Sequence, residues 1–259
     1  MRRPSRGAAR CEAALLTLDA PERRNTLSPE MVDDIIAALD DVEQEQSGVS
    51  AVVVSGAPPA FCAGADLSAL RDLEGGSTSE TGLRNIYEAF LRFARSPLLT
   101  VAAVNGAAVG AGMNLALACD LRIVARSARF ISRFLEIGLH PGGGHTWMLQ
   151  RLVGPQLATE MVLCGKEVSG ESLVEVGLAV ACAEDDTVVH DAVALAERAV
   201  DVPRPLLTRV KDTLRRTAAA ATLDEAVSIE LEAQIWSSSQ PEFAERLAAM
   251  RSRVTKRGS

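Results

Sequence analysis

The stretch from Val104 to Asp120, VNGAAVGAGMNLALACD, constrains the fold more than any other part of this chain. A short apolar strand ending near Val104 runs through a Gly/Ala loop into an apolar helix. Gly106, Gly110 and Gly112 let backbone approach a ligand closely, and the start of the helix presents N–H groups without intrahelical partners. Such a start favours negative charge, an oxyanion or a phosphate. Loops of small residues also serve simply to pack a helix on a sheet, so the rest of the chain has to decide between the two.

Around this stretch, strands and helices alternate. Ala13 to Leu18 reads as a buried strand, and DAPERRN (19–25) as a polar turn. Ser28 caps a helix with Pro29 in its first turn, followed by Met31, Ile35, Ile36 and Leu39 at helical spacing. Ala51 to Ser55 is a β-branched run expected to be buried on both faces, leading into the loop GAPPAFCAGADL. Leu73 to Thr81 is expected to be mobile, and a helix carrying Leu83, Ile86, Tyr87, Phe90 and Phe93 follows it. Leu98–Val104 and Leu121–Val124 read as further strands, Arg129–Leu139 as irregular extended chain, and Trp147–Leu152 and Leu157–Leu163 as helical. Ala179–Ala183 reads as a last short strand. The remainder is helical only, with Leu206, Val210 and Leu214 on one face, a Thr222/Glu225 capping box, and Phe243, Leu247 and Met250 on the last helix. This predicts an α/β core over residues 1–200 and a helical subdomain over 201–259.

Composition narrows the function classes. A net charge of −7 argues against nucleic acid as a default partner, and 3% aromatic residues leave no stacking platforms for single strands. Cys11, Cys62, Cys119, Cys164 and Cys182 show no C-x-x-C spacing, which argues against a disulfide framework and for a cytoplasmic protein. Cys62, in AFCAGAD, has no histidine near it in sequence and is a poor nucleophile candidate. The basic MRRPSRGAAR start lacks the apolar run of a signal peptide, and no window is apolar enough for a membrane span. His140 and His145 lie five apart with no clustered ligands, so no metal is expected. The GxxxGxG spacing of Gly106, Gly110 and Gly112 does not mark a nicotinamide site. Other strands precede it, and the single tyrosine, Tyr87, has Leu91 rather than Lys four residues on.

AFCAGADL (60–67) and NGAAVGAGMNLALACD (105–120) together resemble the two oxyanion motifs of the crotonase superfamily, the enoyl-CoA hydratase/isomerase group. PERRNTLS (21–28), AVVVSG (51–56), GLHPGGG (138–144), RLVG (151–154) and VSGESLVEVGLAV (168–180) extend the resemblance over nearly the whole chain. It implies an α/β ββα spiral core with a helical C-terminal oligomerisation subdomain, assembled as a homotrimer or dimer of trimers. It also implies an acyl-CoA thioester as substrate or ligand, with no permanently bound cofactor. Negative charge on the thioester carbonyl would be met by the N–H groups of Ala65 and Ala111. Asp66 would help hold its loop, Arg23 and Arg24 would meet the adenine and phosphates, Ala63 and Leu67 would line the pantetheine channel, and Gly110 would border the bound CoA.

The departures from the family pattern bear on the reaction. Where its hydratases carry two glutamates this chain has Asn114 and Phe134, and where some members carry a further acid it has Gly142. Loss of one general acid or base costs about 10²- to 10⁴-fold, so an ordinary two-glutamate hydratase is not expected. Glu136, on the same face as Phe134 if that segment is extended, and His140 are the substitute acid/base candidates. Phe134 and Trp147 would make the acyl pocket apolar. The expectation is an enolate-stabilising lyase or isomerase, and the alternative is an acyl-CoA-binding protein that has lost catalysis.

Overall fold

The computed structural model describes residues 12–66 and 80–257, with side chains as far as Arg251. Leu67 and residues 73–79 of the expected mobile segment lie outside the described residues, as does the N-terminal tail.

The chain divides into two compact units, residues 1–200 and 201–259. In the first, strands β1 (Glu12–Leu18), β2 (Val49–Gly56), β4 (Leu99–Val104), β6 (Leu121–Ala125) and β9 (Ala181–Ala183) form one parallel sheet in the order β1-β2-β4-β6-β9. A second sheet holds β3 (Ala60–Cys62), β5 (Ala107–Val109), β7 (Arg129–Ile131) and β8 (Val168–Ser169), the last antiparallel to β7. The chain therefore spirals. Each turn lays one strand in the first sheet (β2, β4, β6) and the next in the second (β3, β5, β7), so the β2–β3, β4–β5 and β6–β7 loops all leave the first sheet at the same end, where its parallel strands stop.

Helix α1 (Pro29–Glu43) starts as its sequence implies, with the Ser28 hydroxyl accepting from the Met31 N–H and Val32, Ile35 and Leu39 buried. It packs on α2 (Glu80–Arg95), which packs on α3 (Ala111–Ala118), while α6 (Val188–Val200) lies along β1, β2, β4 and β6. Between α3 and α6 come α4 (His145–Leu163), broken at Gly154 before Pro155, and the single turn α5 (Ser172–Glu175). Every residue of β2 is buried, as a doubly covered strand requires. β1 differs from its reading as a buried strand. Among the described residues it is the edge of its sheet, paired with β2 alone, and Leu15 is exposed. All of α3 is buried, and Arg122, itself buried, donates to the Cys119 and Ala116 carbonyls at its C-terminal end.

In the second unit α7 (Arg204–Thr217) packs on α8 (Leu223–Ser238), and α8 on α9 (Pro241–Arg257). The Thr222 hydroxyl accepts from the Glu225 N–H, and the Glu225 carboxylate accepts from the Ala221 N–H, one residue upstream of the usual capping-box partner. Leu223, Val227, Leu231 and Ile235, at a spacing of four along α8, are all exposed. Among the described residues no helix is long and apolar enough to cross a membrane.

Candidate active site

The two glycine-bearing loops meet where β3 and β5 pair. Gly112 is required by this contact, because a Cβ there would overlap the Cys62 carbonyl. Gly64, at φ +102°, brings its backbone against the Val109 carbonyl. Each loop ends in an N–H with no hydrogen-bond partner among the described residues. Ala65 sits in a parallel bridge to Leu27 in which the Leu27 N–H donates to Gly64 and the Asp66 N–H donates to Leu27, leaving the Ala65 N–H unused. Ala111 is the first residue of α3, and its N–H precedes the first intrahelical bond, made by Asn114 to Gly110.

Two cavities join at these groups. One, of about 520 Å³, is lined by Arg23, Arg24, Arg129 and Arg133 together with Ala63, Asp66 and Gly110. The other, of about 270 Å³, is bounded by Leu83, Ile86, Tyr87, Asn114, His140 and Gly142. Ala65, Ala111, Phe134 and Leu139 line both. Among the described residues, none of those lining the smaller cavity is Asp or Glu.

The arginine turn is bolted to the first loop by Asn25, which sequence reading passed over. Asn25 is fully buried at φ 56°. Its Oδ1 accepts from the Ala20 N–H, and its Nδ2 donates to the Ala57 and Ala60 carbonyls. The Ala63 N–H donates to the Arg24 carbonyl, closing the junction. Asp66 lies 3.7 Å from the Arg23 guanidinium, so one of the two arginines is partly neutralised, whereas Arg24 has no ionic partner among the described residues. On the other side Asn105 exchanges hydrogen bonds with both the N–H and the carbonyl of Gly56, tying the two loops together beyond the ends of β2 and β4.

Asn114 is held from behind by a histidine that its sequence context does not reveal. The Gly142 carbonyl only accepts, so the Asn114 Nδ2 donates to it at 3.0 Å and Oδ1 faces His145. The His145 Nδ1 must therefore carry the proton donated to Oδ1 at 2.7 Å, and its Nε2 accepts from the Ser132 hydroxyl at 2.9 Å. His145 is 1% exposed and the Phe134 ring covers it edge-on at 5.0 Å. Burial pulls its pKa down to about 4, so it is neutral at pH 7. Ser132 lines neither cavity, and the chain of three side chains supports Asn114 rather than delivering a nucleophile.

Two expectations are corrected. Phe134 to Glu136 is not extended: Leu135–Ile137 is a 3₁₀ turn closed by Gly138 at φ 68°. Glu136 is thereby turned out to solvent, pairs with Arg133 at 2.9 Å, and lines neither cavity. Trp147 is 60% exposed, stacks under the Arg151 guanidinium at 3.8 Å, and also lines neither cavity. Phe134 and His140 do line the smaller one, and the His140 Nδ1 is bonded to the Pro141 carbonyl at 2.7 Å. Cys62 is buried and its thiol is pushed up to about 12, which removes it as a nucleophile.

Two free N–H groups at the junction of a cationic and a largely apolar cavity define a site able to stabilise an oxyanion on an elongated, partly anionic ligand. The chain belongs to the enoyl-CoA hydratase/isomerase family, whose model matches residues 10–251. It is 47% identical over 245 residues to the protein named probable enoyl-CoA hydratase EchA14 of Mycobacterium tuberculosis, covering 93% of this chain and 94% of that one. It is 32% identical to the 1,2-epoxyphenylacetyl-CoA isomerase of Escherichia coli, over 90% of each. The fold matches the crystal structure of an enoyl-CoA hydratase from Polaromonas sp. JS666 with a TM-score of 0.87 at 28% identity, covering 94% of this chain and 95% of that one. The architecture is accordingly that of the crotonase superfamily.

Proposed function

We propose that this chain forms the enolate of an acyl-CoA thioester and reprotonates or rearranges it, as a lyase or isomerase rather than a two-glutamate hydratase. The observation that carries the reading is the pair of unpartnered N–H groups, Ala65 and Ala111, at the meeting point of the two cavities. A thioester carbonyl between them gains two preorganised donors as its oxygen becomes negative. The CoA phosphates lie toward Arg23 and Arg24, with Arg129 and Arg133 on the same cavity, and the acyl group lies beside Phe134 and Tyr87.

Asn114 does not replace a glutamate base, since its Oδ1 is occupied by His145. His140 is the acid/base group of choice: with Nδ1 on the Pro141 carbonyl, its Nε2 remains to exchange a proton. The exposed stripe on α8 supports assembly into a homotrimer or dimer of trimers. No resident cofactor and no metal enter this scheme, and the location is cytoplasmic.

The test is α-proton exchange. Saturated and unsaturated acyl-CoAs are incubated with the protein in D₂O and read by mass spectrometry. Deuterium uptake or product formation is expected, with loss of the signal in His140→Ala. Tight binding of every thioester without exchange would overturn the reading in favour of a carrier or sensor.

A further inference from the structure

The smaller cavity is walled largely by apolar side chains, among them Leu83, Ile86, Phe134 and Leu139, yet Tyr87 also lines it. Tyr87, on α2, packs its ring on Phe90 with centroids 5.8 Å apart and carries its hydroxyl to Gly142. A Cβ on Gly142 would overlap that hydroxyl and lie 3.0 Å from Tyr87 Cζ. The phenol thus fills the space in which a side chain at position 142 would begin. Among the described residues no group hydrogen-bonds it, whereas the Asn114 amide beside it is committed to His145 and Gly142.

A phenol O–H on an apolar cavity is satisfied by water only while water is there. A hydrocarbon acyl chain that fills the cavity strips it of partners, which weakens binding, and an acyl chain bearing an oxygen at the right carbon replaces the lost bond. Ala65, Ala111 and Tyr87 line the same cavity, so a thioester carbonyl at the two N–H groups directs its acyl chain toward the phenol. We infer that Tyr87 is a specificity-determining residue that donates a hydrogen bond to an oxygen borne by the acyl chain, separate from the thioester carbonyl. The chain thereby selects hydroxy-, epoxy- or oxo-acyl thioesters over their hydrocarbon counterparts. This rests on the acyl-CoA reading of the two cavities.

The experiment is a set of dissociation constants by calorimetry for CoA, butyryl-CoA and its 2-, 3- and 4-hydroxy forms, with the wild-type chain and Tyr87→Phe. For at least one hydroxy form the wild type is expected to bind about tenfold more tightly than butyryl-CoA, and Tyr87→Phe to bring that ratio close to one. Gly142→Ala, which displaces the hydroxyl while leaving it in the sequence, is expected to lower the ratio in the same way. An equal ratio in wild type and Tyr87→Phe, or a wild-type ratio near one for every hydroxy form, overturns the assignment of Tyr87 but leaves the acyl-CoA site standing. Failure of every thioester to bind overturns the acyl-CoA reading and the inference with it.

Discussion

Acidification should unfold this protein partly through one side chain, His145. Its folded pKa of about 4 lies below the 6.5 of the free imidazole. Between those values the unfolded chain is protonated at His145 and the folded chain is not. The unfolded state then binds more protons, and stability falls as pH falls. The contribution is fully present above pH 6.5 and lost as pH drops through about 4. At about 1.4 kcal/mol per pH unit the gap amounts to about 3 kcal/mol, against a total of about 5–15 kcal/mol for an ordinary domain. The neighbours offer no relief: Asn114, Ser132 and Phe134 are neutral, and among the described residues no carboxylate pairs with the ring to hold an imidazolium. Urea unfolding followed by far-UV circular dichroism, at intervals from pH 7 to pH 4, would be run on the wild type and on His145→Gln. Carboxylates with lowered pKa, such as Asp185, titrate alike in both. The wild-type advantage at pH 7 should therefore shrink by about 3 kcal/mol toward pH 4. Parallel pH profiles would refute the assignment of a neutral, desolvated His145.

Ala111→Pro removes one of the two proposed oxyanion donors at the first position of α3, where proline fits a helix, so kcat is expected to fall about 10²- to 10³-fold with little change in Tm; undiminished turnover in the folded variant would exclude Ala111 from the chemistry. Asn25→Ala strands the Ala20 N–H and the Ala57 and Ala60 carbonyls and leaves alanine at φ 56°. At about 1–3 kcal/mol for each buried group left unpaired, it should lower Tm sharply, and a melting curve superimposable on wild type would show that the turn holds without it. Arg24→Glu should raise Kd for CoA thioesters by about tenfold at low salt, less at high salt, and spare thioesters truncated to the pantetheine arm. An equal loss for both ligand types would place the phosphates elsewhere.

The first sheet was legible in the sequence because its central strands are largely buried and read as short, predominantly β-branched or apolar runs. The start of α1 was legible because Ser28 and Pro29 occupy adjoining positions with distinct demands. The second sheet was not. β3, β5 and β7 are three residues each and β8 two, too short to show a period, and their partners come from other turns of the spiral. What read as two loops are the ends of paired strands, and that pairing fixes the Ala65 and Ala111 N–H groups in space. The turn at Leu135–Ile137 did carry a signal in Gly138, and extending the chain through it misplaced Glu136.

His145 and Tyr87 escaped for another reason. His145 reads as a loop histidine, and the residues that give it a role lie 13 and 31 positions away. Tyr87 reads as one more apolar position on α2, and only Gly142, from a distant loop, shows where its hydroxyl ends. Together they change the chemical character of the smaller cavity. Asn114 and Phe134 present a committed amide and a phenyl ring to it, and among the described residues its other polar side chains are the Tyr87 hydroxyl and the His140 imidazole. The Ala65 and Ala111 N–H groups can stabilise negative charge that develops on a ligand but take up no proton from it, so on the proposed reading proton transfer is left to His140 or to the substrate itself. A reaction that returns the abstracted proton to the same molecule, as an isomerisation does, asks less of such a site than the stepwise activation of water.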